Sequence, residues 1–169
     1  MIYLRAVVST IVAILLAACG GEGGNATSGP YESYPPPVGG VAQFTYSPLA
    51  IDSFALITPL GNLNPPGHTT PSDHAYYYVA DFDKRPYVAD TLVRAVYAPT
   101  TGVLDFMMRP SGTDWKLQFR VTRDFWYYVD HIQPRPGLTL GTTVKAGEII
   151  GHTNRGGGMD LGAFDYSVN

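Results

Sequence analysis

Short apolar runs, interrupted at regular intervals by glycine and proline, make up the chain from about Phe44 onward. The full sequence contains 19 Gly, 14 Pro and 12 Tyr among its 169 residues. Glycine and proline interrupt helices, whereas tyrosine favours strands. No segment of the globular part shows a convincing helical period. The sequence therefore predicts an all-β, or nearly all-β, domain.

Individual strands are predicted from alternating side chains and from the turns between them. Residues 115–121 alternate apolar and polar side chains, as a half-buried strand does. Residues 92–97 and 103–108 flank the sequence APTTG, which predicts a hairpin that turns at Gly102. Further strands are predicted at residues 51–57, 75–80 and 125–129, and a short apolar strand is predicted between Gly147 and Gly151.

Length, charge and cysteine content exclude several classes of protein. A chain of 169 residues has room for one domain besides a targeting segment. The net charge is −3, and lysine and arginine do not cluster, so nucleic acid is not an expected partner. The single cysteine rules out an internal disulfide framework.

Residues 1–19 have the pattern of an export signal. Arg5 supplies a positive charge, and the apolar run at residues 6–18 is too short for a comfortable membrane span. The run ends in LAAC, which resembles a bacterial lipobox, in which the cysteine becomes the acylated first residue of the mature protein. We therefore predict a lipid on Cys19. The alternative is an ordinary signal peptide with a chance cysteine.

Residues 20–43 are predicted to be a flexible tether between the lipid and a domain at residues 44–169. This stretch is rich in Gly, Pro and Ser and lacks apolar periodicity, so it cannot bury a core. Gly20, next to the cysteine, resembles the residue found in lipoproteins sent to the outer membrane. The expected location is the bacterial cell envelope, at the outer membrane and facing the periplasm.

Residues 59–74, PLGNLNPPGHTTPSDH, contain the strongest metal-ligand pattern of the chain. His68, Asp73 and His74 lie within seven residues of one another. Imidazole and carboxylate groups at such spacing suggest a metal site. The alternative is a polar turn whose histidines are exposed or hydrogen-bonded.

Between about residue 59 and residue 164 the sequence contains, in order, Gly67-His68 with Asp73, Val93 to Val103, Tyr128 with His131, and the series Leu138, Gly141, Val144, Gly147, Ile150 and Gly151. In this order the pieces resemble the lysostaphin/LytM-type peptidases, which are zinc enzymes that cut peptidoglycan cross-bridges. The resemblance implies a coiled antiparallel fold in two layers, with the active groove between long loops. Relatives usually run on past the final strand, so a C-terminus truncated at Asn169 is expected.

The chain departs from this family where a His-x-His strand is expected. The equivalent segment reads Met159-Asp160-Leu161-Gly162 and contains neither histidine. A second departure is the interval from His68 to Asp73, which is one residue longer than usual. A third is the Tyr-x-His phrase, which carries one extra residue before His131.

The resemblance implies a zinc site and a reduced catalytic set. The implied metal ligands are His68, Asp73 and Asp160, and His131 is the remaining catalytic histidine. His74 is a substitute for Asp73 rather than an additional ligand, because adjacent strand residues point to opposite faces. One imidazole and two carboxylates predict a lower zinc affinity than that of the family.

Two functions from different classes follow from these residues. The first is hydrolysis of cell-wall peptide bonds by a metal-activated water. The second is a catalytically inactive module that binds the cell wall or regulates a partner wall enzyme. A third interpretation, glycan binding by the tyrosine-rich strands, ranks last because alternate members of each run face inward. The expected partners are peptidoglycan or a wall enzyme, and the expected state is a monomer.

Overall fold

The computed structural model describes residues 25–28, 42–61, 63, 72–81, 93–154 and 157–166. Within these residues the regular structure consists of ten β-strands and a three-residue 3-10 helix, Ile51–Ser53. The strands are β1 Asn25–Ser28, β2 Phe54–Thr58, β3 His74–Val79, β4 Ala95–Tyr97, β5 Gly102–Ser111, β6 Asp114–Arg120, β7 Phe125–Pro134, β8 Thr143–Val144, β9 Ile149–Thr153 and β10 Gly158–Asp165.

All ten strands belong to one branched antiparallel sheet. The main path runs β1-β5-β6-β7-β10-β3-β2. Off this path, β8 pairs with β5, and β9 pairs with both β4 and β7. The predicted antiparallel β fold is confirmed.

One face of the main sheet carries the hydrophobic core. Leu117, Val129 and Leu161, from β6, β7 and β10, are buried in one apolar cluster. Val96 of β4 and Ile150 of β9 belong to the same cluster. The side branch therefore packs on the core side of the main sheet and provides the second layer of the fold.

The opposite face of the main sheet, which we call the site face, carries polar and aromatic side chains. Successive residues of a strand point to opposite sides, so the neighbours of the core residues turn to this face. They are His74 and Tyr76 of β3, Lys116 of β6, Tyr128 and Asp130 of β7, and Asp160 and Gly162 of β10.

The predicted hairpin with a turn at Gly102 is wrong. β4 pairs with β9, whereas β5 pairs with β1, β6 and β8. Residues 98–101 therefore link the two layers, and the backbone of Ala98 bonds to residues 147 and 148 instead of closing a hairpin. Gly102 lies in β5, where a Cβ would be 3.0 Å from the carbonyl oxygen of Arg120, so close strand approach explains this glycine.

Two other predicted segments differ from the structure or lie partly beyond it. The strand predicted at residues 51–57 begins as a 3-10 helix and is extended only from Phe54. β1 lies within the predicted tether at residues 20–43. The other tether residues up to 41 lie outside the described part, as do the predicted signal and Cys19. In the described part, no helix is long and apolar enough to cross a membrane.

Candidate functional site

A polar cluster lies on the site face where β3, β10 and β7 run side by side. Asp160 is at its centre, paired in register with Tyr76 of β3 on one side and with Asp130 of β7 on the other. Its side chain is only 8% exposed. A carboxylate with so little contact with water must be stabilised by nearby donors or by a cation.

Two imidazoles approach the same oxygen of Asp160. Nε2 of His74 lies 3.3 Å from Oδ2 of Asp160. Nε2 of His131 lies 3.5 Å from that oxygen. Three strands that lie side by side in the sheet, β3, β10 and β7, thus contribute one group each to the cluster.

The other ring nitrogen of each imidazole, Nδ1, contacts a second carboxylate. Nδ1 of His74 lies 2.5 Å from Oδ1 of Asp73, and Nδ1 of His131 lies 3.1 Å from Oδ2 of Asp114. An ionised carboxylate only accepts hydrogen bonds, so both Nδ1 atoms carry protons. In a neutral ring, the lone pair of Nε2 then faces the carboxylate of Asp160. Two acceptors in this position are stabilised by a proton or a cation between Nε2 and the carboxylate.

The charges around the two histidines shift pKa values in the direction that this geometry requires. The hydrogen bond from His74 holds the pKa of Asp73 below its usual value. Burial lowers the pKa of His131, but the charges of Asp160, Asp130 and Asp114 outweigh it and raise this pKa above 6.5. These carboxylates therefore favour the protonated form of the His131 ring.

A β-bulge places His131 in the cluster. Leu117 pairs with Val129, but Trp115 pairs with Ile132, so β7 has one residue more than β6 between these pairs. The extra residue gives His131 a left-handed backbone with φ of 62°. Bulges redirect side chains in this way, often beside functional sites. The ring of His131 remains half exposed, at 49%, and accessible to a ligand.

The ring of Tyr128 occupies the place of a second side chain on β10. Asp160 and Gly162 are the two residues of the Met159–Gly162 segment that face the site. A Cβ on Gly162 would lie 2.2 Å from Cε1 of Tyr128, and the tyrosine is only 4% exposed. Its ring also lies 4.2 Å from Nζ of Lys116. A histidine at position 162 therefore has no room.

The predicted site residues occupy different positions relative to this cluster. Asp160 and His131 are adjacent, as expected of residues that share a site. His74, rather than Asp73, contacts Asp160, because the side chain of Asp73 is 69% exposed and bonds the far nitrogen of His74. His68 lies outside the described residues. The metal-ligand and catalytic roles of these residues stay predictions.

Sequence reasoning missed the residues that surround the two histidines. Among the described residues, one group of three metal-ligand side chains has its ligand atoms within 4.8 Å of one another, namely Asp114, Asp130 and His131. Lys116 pairs with Asp130 at 3.0 Å, and Asn154 donates to Asp114 at 2.8 Å. The one signal in the sequence was the extra residue before His131, which forms the β-bulge in β7.

Comparison with solved structures finds the same fold in Csd3 of Helicobacter pylori, a protein of the LytM-type peptidase family. The two chains superpose with a TM-score of 0.52 at 18% identity, over 72% of this chain and 32% of that chain. This chain thus corresponds to about a third of the Csd3 chain. No family model and no curated protein matches the sequence. The likeness shows that the chain has a LytM-like β fold.

Proposed function

We propose that this chain is a cell-envelope protein whose LytM-like domain hydrolyses peptide bonds of peptidoglycan with a metal-activated water. The observation that carries this proposal is the buried carboxylate of Asp160, which faces Nε2 of both His74 and His131. The protonated Nδ1 atoms of both rings bond to outer carboxylates. This carboxylate–histidine pairing is typical of histidines that bind zinc.

The donor set of the cluster fits zinc through His74 and Asp160. At zinc–ligand bonds of about 2.0–2.2 Å, two donors of a tetrahedral site lie about 3.4 Å apart, and the separation here is 3.3 Å. His68 is the predicted third ligand. A bound zinc ion would lower the pKa of a water molecule and polarise the substrate carbonyl.

The remaining residues of the cluster have roles that follow from their contacts. Asp73 orients His74 by accepting its Nδ1–H. In the described chain, His74, His131 and Asp160 do not form a group whose ligand atoms all lie within 4.8 Å of one another, so His131 is left outside a metal site built on His74 and Asp160. Its half-exposed ring can exchange a proton with the attacking water or the leaving amine.

Elemental analysis of the full chain, with hydrolysis of purified peptidoglycan, tests this proposal. We expect about one zinc per chain, lost in Asp160→Ala and His68→Ala together with peptide release. His131→Ala should keep the zinc and lose roughly 10²–10⁴-fold in rate. His152→Ala is the matched control, because His152 is exposed on β9 outside the cluster. A folded protein without zinc and without peptide release would overturn the proposal.

A specific observation favours the inactive wall-binding module as a second candidate. The segment Met159–Gly162 contains no histidine, and the ring of Tyr128 fills the space beside Gly162, where a further side chain would face the site. In this case the chain would cosediment with peptidoglycan or with a wall enzyme but release no peptide. Binding that survives His131→Ala while hydrolysis is undetectable in the unsubstituted chain would identify this function.

We further propose that Cys19 carries a lipid that anchors the domain at the outer membrane, facing the periplasm. The single cysteine at the end of the apolar signal supports this location. Growth with a labelled fatty acid should label the chain, and Cys19→Ser should abolish the label. Equal labelling of both proteins would exclude this anchor.

A further inference from the structure

Asn154, which directly follows β9, contacts His131 in two ways. Its backbone N–H donates to the carbonyl oxygen of His131 at 3.2 Å. Its side-chain Nδ2 donates to Oδ1 of Asp114 at 2.8 Å. Asp114 in turn accepts the Nδ1–H of His131 at 3.1 Å. Asn154 therefore restrains both the backbone and, through Asp114, the ring of the same histidine.

We propose that Asn154 and Asp114 form a clamp that positions His131, keeping its proton on Nδ1 and its Nε2 directed at Asp160. Asp114 begins β6 and Asn154 follows β9, and no sequence motif connects the two residues. The catalytic role of His131 rests on the proposed function, whereas the orientation of its ring by the clamp does not.

The backbone of His131 explains why a clamp is needed. Its φ of 62° is a left-handed conformation, which is unfavourable for a residue with a side chain. Such a conformation persists where the surroundings restrain it at several points. The extra residue of the bulge brings His131 onto the site face, and the clamp then fixes which ring nitrogen points at the centre of the cluster.

Replacements at Asp114 separate the hydrogen bond from the mere presence of a side chain. Asp114→Asn keeps the size of the side chain, but with its oxygen held by the amide of Asn154 it turns an N–H donor toward Nδ1 of His131, whereas Asp114→Ala removes both groups. Asn154→Ala removes the donor that anchors Asp114 but leaves the carboxylate in place. Asp52→Ala is the matched control, because Asp52 is an exposed carboxylate in the 3-10 helix.

Imidazole ¹⁵N NMR of the full chain, at a pH where His131 is neutral, reads the tautomer directly. We expect the Nδ1–H form in the unsubstituted chain and in Asp52→Ala, and the Nε2–H form in Asp114→Asn. A mixture of both tautomers is expected in Asp114→Ala, and a smaller change in the same direction in Asn154→Ala. If the domain hydrolyses peptides, Asp114→Ala should also lower kcat by about 10²-fold, as a misplaced catalytic group does, with little change in KM.

The NMR result distinguishes failure of the clamp from failure of the proposed function. An unchanged Nδ1–H signal in both Asp114→Ala and Asn154→Ala would overturn the clamp, whether or not the domain is an enzyme. The same change in Asp52→Ala as in Asp114→Ala would also overturn it, because the effect would then be global. Loss of the Nδ1–H form in Asp114→Ala and Asn154→Ala would uphold the clamp. If the unsubstituted chain at the same time shows no measurable hydrolysis, the peptidase is rejected.

Discussion

The ring of Tyr128 lies against Gly162, so closely that a Cβ at position 162 would be 2.2 Å from the tyrosine. The two residues are paired in register on β7 and β10. Tyr128 also stacks on Phe164, with ring centroids 5.6 Å apart. Any side chain at position 162 would therefore have to displace a packed aromatic ring from the site face.

Gly162→Ala is expected to destabilise the domain by about 1–3 kcal/mol, the typical cost of inserting a methyl group into a well-packed site. The Tyr128 ring would have to leave a position in which it is buried. Urea unfolding of the two proteins measures the difference.

The same glycine substitution should be harmless once the ring is absent. In a Tyr128→Ala background, Gly162→Ala meets no ring, and alanine is favoured over glycine in a strand by about 0.5–1 kcal/mol. Equal destabilisation in both backgrounds would show that the ring is not the cause. Tyr128→Ala alone should cost about 3–5 kcal/mol, as for other large buried aromatic residues.

Asp73 and Asp160 should differ in their effect on zinc affinity. Asp73 contacts the far nitrogen of His74, whereas Asp160 faces Nε2. Loss of an outer carboxylate typically weakens metal binding 10–100-fold, so Asp73→Ala should retain weak binding, and Asp160→Ala should have none. Isothermal titration with zinc measures both. Equal loss in the two variants would assign Asp73 to the metal itself, as the sequence alone predicts.

The sequence was sufficient to predict the antiparallel β fold because alternation and turn residues act locally. It could not predict which strands pair, since residues 98–102 look like a hairpin turn, whereas the backbone of Ala98 bonds to residues 147 and 148, which lead into β9. The choice between Asp73 and His74 likewise depended on side-chain direction at the start of β3. Asn154 and Asp114 were not predictable because neither belongs to a motif, and they meet through the fold 40 residues apart.

Stability should depend on pH through Asp105, a buried carboxylate away from the cluster. Arg120 Nε and Trp126 Nε1 both donate to its Oδ2, at 3.2 and 3.0 Å. Its Oδ1 has no hydrogen-bond partner among the described residues. Burial outweighs the stabilising effect of Trp126 and Arg120, so the pKa of Asp105 is raised above 3.8.

A raised carboxyl pKa means that the folded protein binds this proton more tightly than the unfolded chain does. The resulting stabilisation is fully present below the unfolded pKa of about 3.9 and is lost as pH rises through the folded pKa. The free energy of unfolding of the unsubstituted protein, relative to Asp105→Asn, should therefore fall as pH rises from the unfolded pKa through the raised folded pKa, by about 1.4 kcal/mol for each pH unit that separates the two pKa values. Urea unfolding across this range measures it, with the exposed Asp52→Asn as control. A relative stability that instead rises with pH would mean that the ion pair with Arg120 outweighs burial, and that the pKa of Asp105 is lowered.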